Sequence, residues 1–250
     1  MPLELYTRQQ QLNLSIPRGG VTIAGVGGVG FWVATYCAMS GIPNLYLFDP
    51  DVLEESNRNR LPVCEGSIGR PKVEVAKEFI LPLRPNIIIV AVQEKLEELF
   101  LNIQLRVSDW VIDCTDSPKA QHTLYNACLK AHKGYIRAGY DGTHMTVTSN
   151  VSGWIKKDVE EEQYEINPSW VVPSATVAAL AVAKLMKYPQ QEVGLDLSEI
   201  GVPAVQRYKR LSKRCRQEGD SPLVRSRVAQ MERDREVARE RRVRRVNIRI

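Results

Sequence analysis

Two rhythms of apolar residues alternate along this chain. Short, β-prone runs at 21–23, 45–48 and 110–113 are separated by segments whose apolar residues recur at helical spacing. One such segment begins after Gly30 and runs to about Ser40. A second spans 72–81, with Val73, Ala76 and Ile80 on one face. A third spans 94–105, with Leu96, Leu99, Phe100 and Ile103 taken as its buried face, and a fourth runs from Pro118 to His132. The run at 86–92, NIIIVAV, is continuously apolar and β-branched, the pattern of a parallel strand buried on both faces. This β-α alternation predicts an α/β fold: a Rossmann-like, mostly parallel sheet with helices on both faces. Beyond Gly139 the polar, β-branched stretch 143–151 predicts an antiparallel extension. The small, apolar stretch 168–187 predicts a buried helix packed on the sheet or on a second copy. Residues 3–14 predict an N-terminal helix, 61–67 and 156–167 read as loops, and 189–205 reads as a linker.

The densest signal lies at the first strand. Val21-Thr22-Ile23 is followed by Gly25-Val26-Gly27-Gly28-Val29-Gly30, a helix, a second strand and then Asp49, 19 positions after Gly30. Glycines let a backbone turn tightly against phosphate, a helix N-terminus offers free N–H donors, and the acid accepts from ribose hydroxyls. A glycine-rich turn that binds nothing is the alternative, and the two strands and the acid in their proper places argue against it. Gly25, Gly27, Gly28, Gly30 and Asp49 are therefore nucleotide-binding candidates.

The residues after Asp49 change the chemistry expected. Asp49-Pro50-Asp51 leads into Ser56-Asn57-Arg58-Asn59-Arg60, and Gly69-Arg70-Pro71-Lys72 follows. A nicotinamide dinucleotide has its diphosphate held by the glycine turn and needs no such set of cations. A triphosphate does, because charge moves onto pyrophosphate when the α-phosphate is attacked. Lys72 also stands near a helix start, where the dipole disfavours a cation, a mild misfit that a phosphate nearby would relieve.

Together with Asp113-Cys114-Thr115-Asp116-Ser117, these motifs resemble the ubiquitin-activating and ThiF-type adenylyltransferases, including those that activate sulfur carriers for molybdopterin and thiamine synthesis. The resemblance spans about residues 3–190 and rests on four motifs in the family's order. It implies an ATP- and Mg²⁺-dependent enzyme that adenylates the C-terminal carboxylate of a small ubiquitin-like or sulfur-carrier protein. By that resemblance Asn57, Arg60 and Lys72 contact phosphates, Asp51 is a weaker candidate near phosphates or metal, and Asp116 holds Mg²⁺. The residues alone leave open whether Asp116 binds a metal or whether it, or Ser117 before Pro118, caps the next helix. The segment Tyr6-Thr7-Arg8-Gln9 is similar to one that offers its arginine to a partner subunit's nucleotide, so Arg8 is a candidate in trans and a homodimer is implied. Relatives that carry a four-cysteine zinc site differ from this chain, which has no CxxC pair, so no zinc is expected. Nor is there a cysteine between Cys128 and Cys215, which counts against a thioester step in the crossover segment.

Composition adds a boundary. From 207 to 250 the chain carries 16 basic and 6 acidic residues, leaving 18 and 23 in the first 206. The division is thus an acidic adenylation domain, 1–206, and a basic, helix-prone tail, 207–250. From Val224 the tail's thin apolar stripe (Val224, Val228, Met231, Ala238, Val246) favours docking on a protein over contact with tRNA or a solvated tail, and no aromatics interleave the basic residues of that stretch. No apolar run is long enough to span a membrane, the first residues do not read as a signal peptide, and a cytoplasmic location is expected. A tRNA-modifying relative, a non-catalytic nucleotide-binding scaffold or heterodimer subunit, and, more remotely, an NAD-dependent oxidoreductase are the rival readings.

Overall fold

The β-α rhythm builds a single seven-stranded sheet. The computed structural model describes residues 3–151, 169–187 and 193–196, all within one compact unit, Met1–Ser198. In chain order these are α1 (Thr7–Gln10), β1 (Val21–Ala24), α2 (Gly28–Met39), β2 (Asn44–Phe48), α3 (Lys72–Ile80), β3 (Ile88–Val92) and α4 (Glu98–Val107). There follow β4 (Trp110–Asp113), α5 (Pro118–Lys130), β5 (Gly134–Asp141), β6 (His144–Thr148), α6 (Val171–Met186) and β7 (Val193–Asp196). The spatial order is β3-β2-β1-β4-β5-β6-β7. The first five strands in that order are parallel to their neighbours, and β6 and β7 pair antiparallel. The Rossmann-like sheet and its antiparallel extension are as the sequence predicts.

Helices cover both faces, and each face has its own core. On one side α2 lies against α6 and α3, burying Phe31, Val33, Ala34 and Cys37 with Val177, Ala178 and Ala181 of α6. Alanines at that contact let two helices approach closely, so the small-residue segment packs on α2 and on β5 and β6 within the same chain. On the other side α4 and α5 enclose Leu101, Leu105, Leu124, Cys128 and Tyr135.

Several expectations are corrected. The N-terminal helix is short: a 3-10 turn, Leu3–Tyr6, precedes α1. The apolar run at 86–92 is not buried on both faces, because β3 is an edge strand whose Ile88 and Val90 are exposed. Continuous hydrophobicity signals a central strand only where helices cover both faces, and here one face of the edge is open. The buried face of α4 is also different. Leu101 and Leu105 are buried, whereas Phe100 and Ile103 point outward. The helix starts at Glu98, not 94, and the sheet chooses the face that presents Leu101, Gln104 and Leu105. Part of the expected linker is the strand β7, added to the sheet through β6. The crossover at 156–167 and the tail from 207 lie outside the described residues.

The two faces of α4 give unequal stability effects. Leu101→Ala, at a fully buried position, is expected to cost about 2–5 kcal/mol, and Ile103→Ala less than about 0.5 kcal/mol. Urea unfolding midpoints of the two variants check this, and equal losses would contradict the packing described.

Candidate active site

The carboxyl ends of β1, β2 and β4 lie side by side and carry three of the four motifs. Gly25 N donates to Phe48 O at 2.8 Å, and Cys114 N donates to Ala24 O at 2.8 Å. Asp113 pairs with Ala24 in register. Ligands bind at this edge of such sheets because loops and helix N-termini converge there.

Gly25 has φ +82°, a conformation that L side chains rarely adopt, and its backbone leaves little room beside Cys114. A Cβ on Gly30 would lie 1.8 Å from Gly25 O, so only glycine lets α2 start against the turn. Gly27 is different: nothing lies within 4 Å of where its Cβ would be. Open space over the first residues of α2 is where an anion meets unpaired N–H donors. At Gly28 the Arg60 side chain closes in, with Cδ 3.0 Å and Nε 3.2 Å from the ideal Cβ position, and Ser174 Oγ lies at 3.1 Å.

Asp49 braces the turn. It is buried; one carboxylate oxygen accepts from Val26 N at 2.6 Å and the other from Asp51 N at 2.9 Å. Burial raises its pKa above the ordinary carboxylate range, while the Lys72 ammonium and those two N–H groups pull it back. A carboxylate has about four acceptor sites, so both oxygens retain capacity for a ribose hydroxyl.

The cations arrive on irregular backbone. Asn57 is buried and its Oδ1 accepts from Glu54 N at 3.2 Å, closing a capping box on a 3-10 turn, Glu55–Asn57. Its amide is left with a contact of 3.5 Å to Ser56 Oγ. Asn57 thus shapes the turn that carries Arg60 and keeps its NH₂ nearly free. Arg60 donates to Ser56 O and Asn59 Oδ1, both at 2.8 Å, and its own carbonyl accepts from the Trp32 indole at 2.9 Å. Lys72 begins α3 with its Nζ 2.7 Å from Asp51 Oδ2. An isolated bridge between Val52 and Pro71, with Leu53 N donating to Arg70 O, zips the two cationic loops together.

Ser117 resolves the capping question. Its Oγ accepts from Ala120 N at 3.4 Å and Pro118 occupies the first turn of α5. Asp116 is exposed, and its carboxylate takes no hydrogen bond or ion pair among the described residues. A lone carboxylate, completed by nucleotide phosphates and water, suits Mg²⁺. No group of three or more His, Cys, Asp or Glu able to hold a metal gathers among the described residues, so a protein-only cage is not what this edge offers.

Arg8 stands apart. It is exposed on α1, and that segment is fixed to the far end of α2. Gln9 Nε2 donates to Ser40 O at 2.9 Å, and Tyr6 packs against Gly41. With 12 residues in α2, the glycine turn is roughly 18 Å away at 1.5 Å per residue. Cys64 is exposed and its thiol lies 3.5 Å from the Ser67 hydroxyl, which lowers its pKa.

Residues the sequence did not single out support the site. Asn59 Nδ2 also donates to Ser169 O at 2.8 Å, and the buried Ser174 hydroxyl is 2.8 Å from Tyr140 Oη. Only Trp32 left a trace, as an indole within an apolar helix needs a partner for its N–H.

A protein-family model described as the ThiF family matches residues 3–209. Over 112 residues the chain is 34% identical to the molybdopterin-synthase adenylyltransferase of Escherichia coli K12, covering 44% of this chain and 45% of that protein. Over 132 residues it is 33% identical to the sulfur carrier protein ThiS adenylyltransferase of the same organism, 51% and 53% of the two chains. A Haemophilus influenzae tRNA threonylcarbamoyladenosine dehydratase is 32% identical over 162 residues, 63% of this chain and 60% of that one. The chain thus spans about half the length of these curated relatives. Among solved structures, Escherichia coli MccB with ATP superposes with a TM-score of 0.61 at 22% identity, over 73% of this chain and 62% of that one. That likeness is one of fold. With the glycine turn, the cationic loops and the acidic loop gathered at one sheet edge, and the family model matching 3–209, the chain belongs to the ThiF family.

Proposed function

We propose that the protein is an ATP-dependent adenylyltransferase acting on the C-terminal carboxylate of a small ubiquitin-like or sulfur-carrier protein. One observation carries the reading: Arg60 lies directly on Gly28, and Lys72 is held beside Asp51 and Asp49. Two cationic side chains beside a glycine turn suit a triphosphate better than a diphosphate, whose charge the turn itself meets. Relatives bearing the names of molybdopterin-synthase and ThiS adenylyltransferases support the substrate class.

The proposed step is a substitution at the α-phosphorus. A carboxylate oxygen of the carrier attacks, forming the new P–O bond, while the bond to the bridging oxygen breaks and pyrophosphate leaves with the electron pair. The nucleophile is already an anion, so no general base is called for. Gly25, Gly27, Gly28 and Gly30 form the cradle, Asp49 holds the ribose, and Arg60, Lys72 and the Asn57 amide meet the phosphates. Asp51 sets the position of Lys72. Mg²⁺ bound by Asp116 and the phosphates would supply charge neutralisation. Rate enhancement then comes from positioning and fixed charge. Arg8 serves the nucleotide of a second copy, because its own glycine turn is a helix length away.

A second reading has two supports. The tRNA-related dehydratase matches 63% of this chain, and residues 207–250 are strongly basic. There the adenylated group would be a carboxylate on RNA. No helix among the described residues is long and apolar enough to cross a membrane.

Three outcomes are expected. ATP–pyrophosphate exchange requires a glycine-terminated carrier protein, and Arg60→Ala lowers it by about 10²–10³-fold with an unchanged unfolding midpoint. Exchange that needs tRNA instead would select the second reading, and none with either would contradict adenylation. Asp49→Asn sets an amide N–H against a backbone N–H, and is expected to abolish ATP binding by calorimetry and cost about 1–3 kcal/mol of stability. Mixing Arg8→Ala with Arg60→Ala protein restores roughly a quarter of wild-type exchange if sites are shared in a symmetric dimer. No restoration in the mixture would contradict the role in trans.

A further inference from the structure

Asp113 is fully buried at the end of β4, three residues before the carboxylate proposed to hold the metal. Its hydrogen bonds run along the loop. One carboxylate oxygen accepts from Thr115 N at 2.9 Å and from Thr115 Oγ1 at 2.7 Å. The other accepts from the Tyr135 hydroxyl at 2.8 Å, and Tyr135 is itself buried against Tyr125. Thr115 is held on its other side too, since the buried Gln121 donates from Nε2 to Thr115 O at 2.9 Å. On the far side of Asp116, Ser117 caps α5 and its carbonyl accepts from Gln121 N at 3.0 Å.

The peptides before and after Asp116 are therefore each tied to rigid elements, while its carboxylate takes no bond among the described residues. The bond from Thr115 N closes an Asx turn, and the Thr115 and Tyr135 hydroxyls and the nearby Arg137 charge add to what holds the acid in place. Burying that acid is costly unless it is fully hydrogen-bonded, and fixing a ligand group in advance removes its reorganisation on binding. We propose that Asp113, Thr115, Tyr135 and Gln121 are positioning residues that fix the peptide around Asp116, so that its carboxylate meets the nucleotide-bound cation already in place. The inference rests on Asp116 as the metal-binding carboxylate.

The test uses the full chain with Mn²⁺ and a non-hydrolysable ATP analogue, reading Mn²⁺ affinity by electron paramagnetic resonance. Thr115→Val keeps the shape and removes the hydroxyl, and is expected to weaken Mn²⁺ binding by about tenfold. Thr115→Ser keeps the hydroxyl and stays within about twofold, and Tyr135→Phe weakens the metal several-fold, all with metal-free analogue affinity unchanged. Asp116→Asn is the reference. If Asp116→Asn weakens the metal and Thr115→Val and Tyr135→Phe do not, the positioning role is overturned and the metal assignment stands. If Asp116→Asn changes nothing, the metal assignment fails and this inference with it. Should Thr115→Val not fold, Tyr135→Phe alone decides, a metal affinity equal to wild type overturning the role.

Discussion

One buried carboxylate ties this site together. Asp49 accepts from the glycine turn at Val26 and from its own loop at Asp51, so the two segments proposed to bind phosphate share an anchor. Removing it from water raises its pKa, and the nearby Lys72 charge and the two N–H donors offset that cost. Those offsetting groups are the ones the proposed reaction uses. Lys72 is drawn in by Asp51 and the field of Asp49, and the turn is held open above Gly27. The same acid thus serves as brace and as ribose acceptor in the proposed reaction.

The remainder of the fold supplies rigidity around that anchor. α2 is apolar nearly all round and is buried between the sheet and α6, which fixes its N-terminus as a donor site. Trp32, on the same helix, holds the Arg60 carbonyl, so this arginine is referenced to the helix whose N-terminus it overlies. β4 brings the third motif alongside, and Ser117 takes the helix cap. Asp116 takes no hydrogen bond or ion pair among the described residues, and in the proposed reaction it would hold the cation.

The order strand, glycine turn, helix, strand, acid was legible in the sequence because every part of it is local. Gly25 and Gly30 are demanded by backbone approach within six residues, and that demand leaves glycine itself as the trace. The same held for α3, whose Val73, Ala76 and Ile80 are all buried. What failed was tertiary. Ile88 and Val90 look like a central strand and lie on an edge, and Phe100 and Ile103 look like a core stripe and face outward. Which face is covered depends on neighbours that local pattern does not encode. β7 was hidden because its pairing is supplied by β6. Tyr135 and Gln121 support Asp113 and Thr115 from elsewhere in the sequence, with no spacing that announces them, and Asn59 and Ser174 act through partners more distant still.

The central claim is that a carboxylate oxygen attacks the α-phosphorus of ATP. It is tested most directly by labelling the carrier's C-terminal carboxylate with ¹⁸O, letting the adenylate turn over, and measuring the mass of the AMP released. The account predicts that AMP carries one labelled oxygen, since the attacking oxygen stays on phosphorus when the acyl group departs. Unlabelled AMP formed at the same rate would mean that water, not the carrier, attacks phosphorus, and would contradict it.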